Sequence, residues 1–340
     1  MGCNISKQNQ SRRINYQMLS LYKVEGIFVT LAINNINTLV AVGTDSEIKI
    51  FNFKKGFMNQ IQIMQIRGYY ISLLNFCKIK PFLISAQFHP SLIIWNNNLI
   101  SNSKFICKLN GHSHSIMSMV IHPIFEDLII TGSEDNSIKF WSIKTQWYCK
   151  QTISEHNKPV ISLITNTDGT QLISCSQDKS IFIIEGSNQT LWFIKQKIQL
   201  HYYGYRLSYI TNSMFLFQPH SLYDGTHLYI YYFNSSKQQY QQLCQIPVKG
   251  KREFCYHYFP SVYIKSLNLL VIKNAWFVNI LRITPSLSNN NLSYKWEQTI
   301  EFQNKCINGT LSNDGEFLLI WDEESEQIQI RQLQQNFTIQ

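Results

Sequence analysis

Short apolar runs bounded by Asn, Asp, Ser and Gly recur along the whole chain, and their length and alternation predict β-strands instead of helices. Residues 39–51 give one pair of runs around Val42-Gly43-Thr44-Asp45, ending in Ile48-Lys49-Ile50-Phe51. Residues 82–95 give another, with Ser85-Ala86 followed by Leu92-Ile93-Ile94-Trp95. The clearest lies at 111–141: Gly111-His112, a strand-like run to His122-Pro123, then Leu128-Ile129-Ile130-Thr131-Gly132-Ser133-Glu134-Asp135-Asn136-Ser137-Ile138-Lys139-Phe140-Trp141. Residues 156–184 repeat it, with His156 in the place of His112, a turn at Asn166-Thr167-Asp168-Gly169, and Ser174-Cys175-Ser176-Gln177-Asp178 restating 131–135. Ile184 stands where Trp141 stood. Downstream, 214–217 with 227–233, 267–272 with 276–283, and 316–321 with 327–331 are predicted strand pairs without signature residues.

The spacing of these units, roughly 43 to 46 residues, suits four-stranded repeats that bury their apolar faces only against one another. The stretch 111–141 resembles one complete WD repeat. That resemblance implies an all-β fold, a single seven-bladed β-propeller of four-stranded antiparallel blades over residues 16–333. Residues 1–15 and 334–340 are then tails. The seventh unit ends after its third strand at Arg331, and residues 16–22 alternate without an assigned partner. In WD-repeat propellers the N-terminal strand completes the last blade, so residues 16–22 are expected there, removing an open sheet edge. Trp321-Asp322 mimics the family's terminal dipeptide, but at the end of the wrong strand.

In that family, a His, a Ser or Thr, an Asp and a Trp form a buried hydrogen-bonded tetrad. The matching residues are His112, Ser133 (or Thr131), Asp135 and Trp141, and in blade four His156, Ser176 and Asp178 without the Trp. A buried carboxylate has to be paired, which these partners and turn amides provide. The same residues mimic a hydrolase triad, yet a nucleophile needs an exposed elbow and an oxyanion hole that such a turn does not offer. The chain has no Gly-rich phosphate loop and no His-Glu-x-x-His helix. No enzyme activity, no catalytic residue, no metal site and no cofactor are expected.

The chain has 340 residues, 44% of them hydrophobic, which suits either two ordinary domains or one large all-β domain. No apolar run approaches the roughly 18 residues of a membrane-spanning helix. The eight cysteines show no Cys-x-x-Cys pair, which suggests incidental thiols in a reducing compartment. A net charge of +9 favours anionic surfaces, but no nucleic-acid recognition motif accompanies it, and nucleic acid is not an expected partner.

Met1-Gly2-Cys3-Asn4-Ile5-Ser6-Lys7 carries a different chemistry. Gly2 with Ser6 fits the N-myristoylation pattern, and Cys3 is placed to accept a second acyl chain. The segment resembles the dually acylated starts of Src-family kinases and G-protein α subunits. One myristoyl chain binds membrane only marginally, with K of roughly 10⁴ M⁻¹, so Cys3 and the basic residues Lys7, Arg12, Arg13 and Lys23 would supply the further attraction. Strand alternation places Lys54 and Lys55, in the third-to-fourth strand loop of blade one, on the face from which the tail leaves. Lys78 and Lys80, in the first-to-second strand loop of blade two, are expected there too. These four lysines are the candidate membrane-facing patch.

The candidate partner surface on the other face includes Tyr202, Tyr203 and Tyr205, together with Lys249, Lys251 and Arg252; Tyr and Arg are favoured interface anchors. The expected function is a non-enzymatic scaffold. It would bind protein partners at the propeller rim, be monomeric by itself, and sit on the cytosolic face of a membrane through its acylated N-terminus. The alternative is direct lipid recognition of the type made by the phosphoinositide-binding propellers of autophagy. Their Phe/Leu-Arg-Arg-Gly motif lies where this chain has Lys249-Gly250-Lys251-Arg252, so the position is similar and the motif is absent.

Overall fold

The computed structural model of the protein describes residues 4–5, 13–24, 26, 29–66, 70–96, 105–220, 225–251, 255, 259–286 and 292–336. Among these, every regular element is a β-strand, and the fold is an all-β, seven-bladed β-propeller of four-stranded antiparallel blades. The chain forms two compact units, residues 25–207 and residues 1–24 with 208–340.

Strands β1 (Asn4–Ile5) and β2 (Arg13–Lys23) belong to late blades. Blade one is β3 (Thr30–Ile33), β4 (Leu39–Gly43), β5 (Glu47–Lys54) and β6 (Phe57–Gln65). Blade two is β7 (Ile71–Phe76), β8 (Phe82–Gln87), β9 (His89–Asn96) and β10 (Phe105–Asn110). Blade three is β11 (Ile116–Ile121), β12 (Leu128–Ser133), β13 (Ile138–Ile143) and β14 (Trp147–Ile153). Blade four is β15 (Val160–Thr165), β16 (Gln171–Ser176), β17 (Ser180–Glu185) and β18 (Phe193–Gln199). These four make up the unit of residues 25–207.

Blade five is β19 (Gly204–Thr211), β20 (Met214–Pro219), β21 (His227–Asn234) and β22 (Gln239–Pro247), with the division between the units falling inside β19. Blade six is β23 (Val262–Ile264), β24 (Leu269–Asn274), β25 (Phe277–Pro285) and β26 (Leu292–Glu301). Blade seven is β27 (Ile307–Leu311), β28 (Phe317–Asp322) and β29 (Gln327–Asn336), completed by β2 in antiparallel register from Arg13 opposite Asn336 to Lys23 opposite Gln327. β2 extends beyond 16–22 at both ends and β29 beyond 331 at its C-terminal end, because main-chain pairing continues through mostly polar residues that carry little hydrophobic signal. Asn4–Ile5, within the expected tail, pairs in parallel with Ser293 and Tyr294 of blade six.

Burial follows strand position. Every residue of the second strands β12, β20, β24 and β28 is buried, as expected of sheets covered on both faces. The fourth strand β18 instead alternates exposed and half-buried positions along its length. In each blade the ladder between third and fourth strands shifts register once, for example between Phe140 and Trp141, Ile183 and Ile184, and Ile280 and Leu281. Such bulges increase local twist, and they recur in the blades that lack signature residues. Cys77, Cys107, Cys149, Cys175, Cys255 and Cys306 are free.

Tyr16 fastens the N-terminal strand to blade seven. Its ring is buried with Ile14, Phe259, Leu311 and Leu318, and its hydroxyl donates to the Gly315 carbonyl at 2.6 Å. Gly315 adopts φ +77° at the turn before β28, a left-handed conformation natural to glycine. Tyr16→Phe is expected to lower stability by about 1–2 kcal/mol through the unpaired carbonyl, and Tyr16→Ala by about 3–5 kcal/mol. Urea denaturation measures both, and an unchanged midpoint for Tyr16→Ala would show that the N-terminal strand lies outside the cooperative core.

Candidate functional site

The polar centre of blade three is a directed chain of hydrogen bonds. Trp141 Nε1 donates to Thr131 Oγ1 at 2.8 Å, and that hydroxyl lies 2.7 Å from His112 Nε2. His112 Nδ1 is 2.8 Å from Asp135 Oδ2. An ionised carboxylate only accepts, so Nδ1 carries the imidazole proton towards Asp135, and in the neutral ring Nε2 accepts the Thr131 hydroxyl hydrogen. The other Asp135 oxygen accepts from the Ser137 amide at 2.9 Å and its hydroxyl at 2.6 Å, and the Ser113 amide bonds Oδ2 at 3.0 Å. Asn136 turns the chain at φ 67° between these partners. A Cβ on Gly111 would stand 2.9 Å from the Trp141 ring, so the close approach of this backbone requires glycine.

Blade four repeats the arrangement. His156 Nδ1 meets Asp178 Oδ2 at 2.8 Å and His156 Nε2 meets Ser174 Oγ at 2.9 Å, while Ser180 and the Asn157 amide complete the carboxylate shell. Ile184 offers no N–H to Ser174. Instead Phe182 stacks on His156, with centroids 3.8 Å apart and planes 4° from parallel. Blade two keeps the other half of the network, Trp95 Nε1 donating to Ser85 Oγ at 2.8 Å. The register of blade one puts Val42 and Phe51 at the corresponding positions, where no such bond is possible.

Two expected members are corrected. The hydroxyls of the network are Thr131 and Ser174, and Ser133 and Ser176 have a different task. Ser133 Oγ donates to the His114 carbonyl at 3.0 Å and accepts the Asp135 amide at 3.1 Å; Ser176 does the same with Lys158 and Asp178. Residues two apart on a strand share a face, so alternation alone does not choose between them, and depth beside the indole does. Ser137 and Ser180 join each carboxylate shell, and a Ser two residues after each Asp is the turn-closing signal that marks them in sequence. Ser133 bonds backbone groups and not His112, so Ser133, His112 and Asp135 form no nucleophile-to-base relay.

The remaining candidates are scattered. Lys54 ends β5 and Lys55 begins a two-residue turn with Gly56, both at positive φ, as a type I′ hairpin requires. Lys78 and Lys80 lie between β7 and β8. Tyr205 is corrected as a surface residue: it is buried with Met117 and Ile161, and Tyr203 packs edge-on to it at 5.9 Å. Tyr202 is exposed. Lys249 lies 3.6 Å from Glu301 and over the Phe277 ring, and Lys251 lies 3.5 Å from the Trp276 centroid. Gly2, Cys3 and Arg252 lie outside the described residues. Among the described residues, no group of three His, Cys, Asp or Glu is arranged to hold a metal ion, and no helix is long and apolar enough to cross a membrane.

Comparison with known proteins agrees with the blades that carry tetrads. The family model described as WD domain, G-beta repeat matches residues 103–142 and 147–185, which cover much of blades three and four. The chain is 36% identical over 103 residues to DDB1- and CUL4-associated factor 13 of Dictyostelium discoideum, covering 30% of this chain and 23% of that protein. It is 28% identical over 112 residues to pre-mRNA-processing factor 19 of Oryza sativa subsp. japonica, covering 30% of this chain and 21% of the relative. These matches span less than a quarter of either relative. A chain in the crystal structure of the mitotic checkpoint complex superimposes with a TM-score of 0.73 at 14% identity, covering 98% of this chain and 96% of that one. That likeness is one of fold.

The two carboxylates set an acid limit on stability. Burial alone raises the Asp135 pKa, but hydrogen bonds from His112, Ser137 and the Ser113 amide outweigh it and hold the carboxyl well below its usual range; Asp178 behaves likewise. A depressed folded-state pKa gives stability that is complete above the unfolded value near ~3.9 and lost as pH falls towards the folded one. Melting temperature is therefore expected to fall on acidification from about pH 5 to pH 3. Asp135→Asn with Asp178→Asn should melt lower at neutral pH and show a flatter acid slope in calorimetry. An unchanged slope would remove these carboxylates from the acid limit.

Proposed function

We propose that this protein is a non-enzymatic WD-repeat scaffold that presents a protein-interaction surface while tethered to the cytosolic face of a membrane by N-terminal acylation. The observation that carries the scaffold reading is the use made of the reactive residue types. His112, Asp135, His156 and Asp178 are spent on tying turns to strands, which leaves rigid blades whose loops are the accessible polar surface. Part of the chain is similar to a DDB1- and CUL4-associated factor, which supports partner binding as the use of these blades.

The tether rests on Gly2, Cys3, Ser6 and Lys7 and on the need for two membrane signals where one acyl chain is marginal. Lys54, Lys55, Lys78 and Lys80 add attraction to an anionic leaflet, each basic group near the surface contributing about 1 kcal/mol. Direct phosphoinositide recognition is less favoured, since Lys249 and Lys251 already engage Glu301, Phe277 and Trp276.

Metabolic labelling with an alkyne myristate followed by fractionation tests the tether. The intact protein should carry label and sediment with membranes, and Gly2→Ala should lose both label and sedimentation. Identical partitioning of the two would overturn the anchoring half of this reading.

A further inference from the structure

We infer that the loops of residues 77–81 and 123–127 form a preorganised wedge that inserts Ile79, Ile124 and Phe125 into an anionic bilayer. This rests on the membrane attachment proposed above and names a second, protein-encoded contact with the lipid.

The wedge belongs to the unit of residues 25–207, whose two ends differ in chemistry. First-to-second and third-to-fourth strand loops leave the four blades at one end; second-to-third turns and blade-to-blade connections leave at the other. Large apolar side chains are exposed at the loop tips of the first end: Ile36 is 72% exposed, Ile79 75% and Leu191 65%, with Ile124 and Phe125 about half exposed. Among the described loops of the other end, the exposed large hydrophobics are tyrosines, Tyr70 and Tyr202. Charge divides the same way. Lys54, Lys55, Lys78, Lys80 and Lys144 lie at the apolar end with Glu126, Asp127, Asp168 and Glu185. The opposite end carries Asp45, Glu134, Asp135, Glu155 and Asp178 against Lys158 and Lys179. An anionic surface fits only the first.

The backbone of the wedge is prepared for a medium without water. Glu126, buried in blade three, accepts the amides of the blade-two loop: that of Lys78, that of Ile79 at 3.0 Å and that of Lys80 at 2.7 Å. Residue 81 is proline, and the Phe82 amide donates to the Lys80 carbonyl at 2.8 Å. In the neighbouring loop residue 123 is proline, and the amides of Ile124 and Phe125 donate to His122 Nδ1 at 3.3 and 3.0 Å. His122 Nε2 in turn donates to the Gly169 carbonyl at 2.9 Å. Desolvation lowers the His122 pKa from its ordinary value, which keeps the ring neutral and Nδ1 an acceptor. Each amide from 78 to 82 and from 123 to 125 is therefore paired or absent. Paired amides meet part of what apolar lipid demands of a segment that enters it, and a loop fixed beforehand loses little entropy on binding.

The side chains match an interface. Ile79 lies between Lys78 and Lys80 in the chain, and a cleft of about 230 Å³, lined also by Lys80, Glu126 and Asp127, separates it from Ile124 and Phe125. An aliphatic tip between two lysines places apolar atoms at acyl depth while the ammonium groups stay among headgroups.

Full-length protein carrying Gly2→Ala, so that no acyl chain contributes, is mixed with phosphatidylcholine vesicles with or without about 30% phosphatidylserine. It should sediment with the anionic vesicles. Adding Ile79→Ser and Phe125→Ser should weaken this about tenfold with only a small change in melting temperature, since Ile79 is exposed and Phe125 half exposed beside the His122 ring. Adding Lys78→Ser and Lys80→Ser should remove the preference for phosphatidylserine. The wedge is overturned if the Gly2→Ala protein ignores anionic vesicles, or if Ile79→Ser/Phe125→Ser binds them as well as its parent. Acyl labelling of the intact protein reads the tether separately, so either half can fail by itself.

Discussion

A β-sheet that is apolar on both faces has to be covered on both faces, and this constraint governs the rest of the molecule. The second strands β12, β20, β24 and β28 contain no exposed residue, so no blade is a stable object by itself. Covering each blade with the next leaves the outer strands to meet water, which is why β18 alternates while β17 beside it does not. The last blade has only three strands from the C-terminal segment, and β2 supplies the fourth. Tyr16 then links the beginning of the chain to the turn at Gly315 near its end. A strand without signature residues is held because an edge without a partner would remain.

The same constraint decides what was legible in the residues. Blades three and four were readable because their tetrads use rare residue types at fixed offsets, and the family model matches these same blades. Blades five to seven showed only as paired apolar runs, since Phe215, Ile230, Val271 and Ile320 fill the core without hydrogen-bonding partners. What repeats in them is the register shift before the outermost strand. It is a property of backbone twist, and many side chains accommodate it. The choice of Thr131 over Ser133 was invisible for a related reason, because both face the same way and the distance to Trp141 and His112 separates them.

Residues whose partners are backbone groups of another blade were the least legible. Glu126 reads in sequence as one acid in a surface loop. Its carboxylate is buried under amides 46 to 48 positions away, and no local pattern announces that. Gln151 is similar: its side-chain amide brackets Trp192 of the next blade, accepting from the amide at 2.8 Å and donating to the carbonyl. Such contacts fasten loop to loop where the apolar sheets end. They make the rims of the blades as defined as their interiors, which is what a surface for recognition needs.

Rigid rims also explain how weak membrane signals would combine. A single acyl chain holds a protein to a bilayer only marginally, at K of roughly 10⁴ M⁻¹. A few shallow side chains with lysines beside them are similarly weak alone. Joined through one folded body, the second contact forms at the effective concentration set by the first, so the affinities multiply instead of adding. The product is useful only if the wedge needs no rearrangement, because ordering a flexible loop would consume the gain. Glu126 and His122 remove that cost by fixing both loops in advance. The acidic end of the same unit, with Glu134 and Asp45 in its turns, would be disfavoured at an anionic leaflet and left for partners. One unit would thereby separate two tasks by charge, with the blades between them as the spacer.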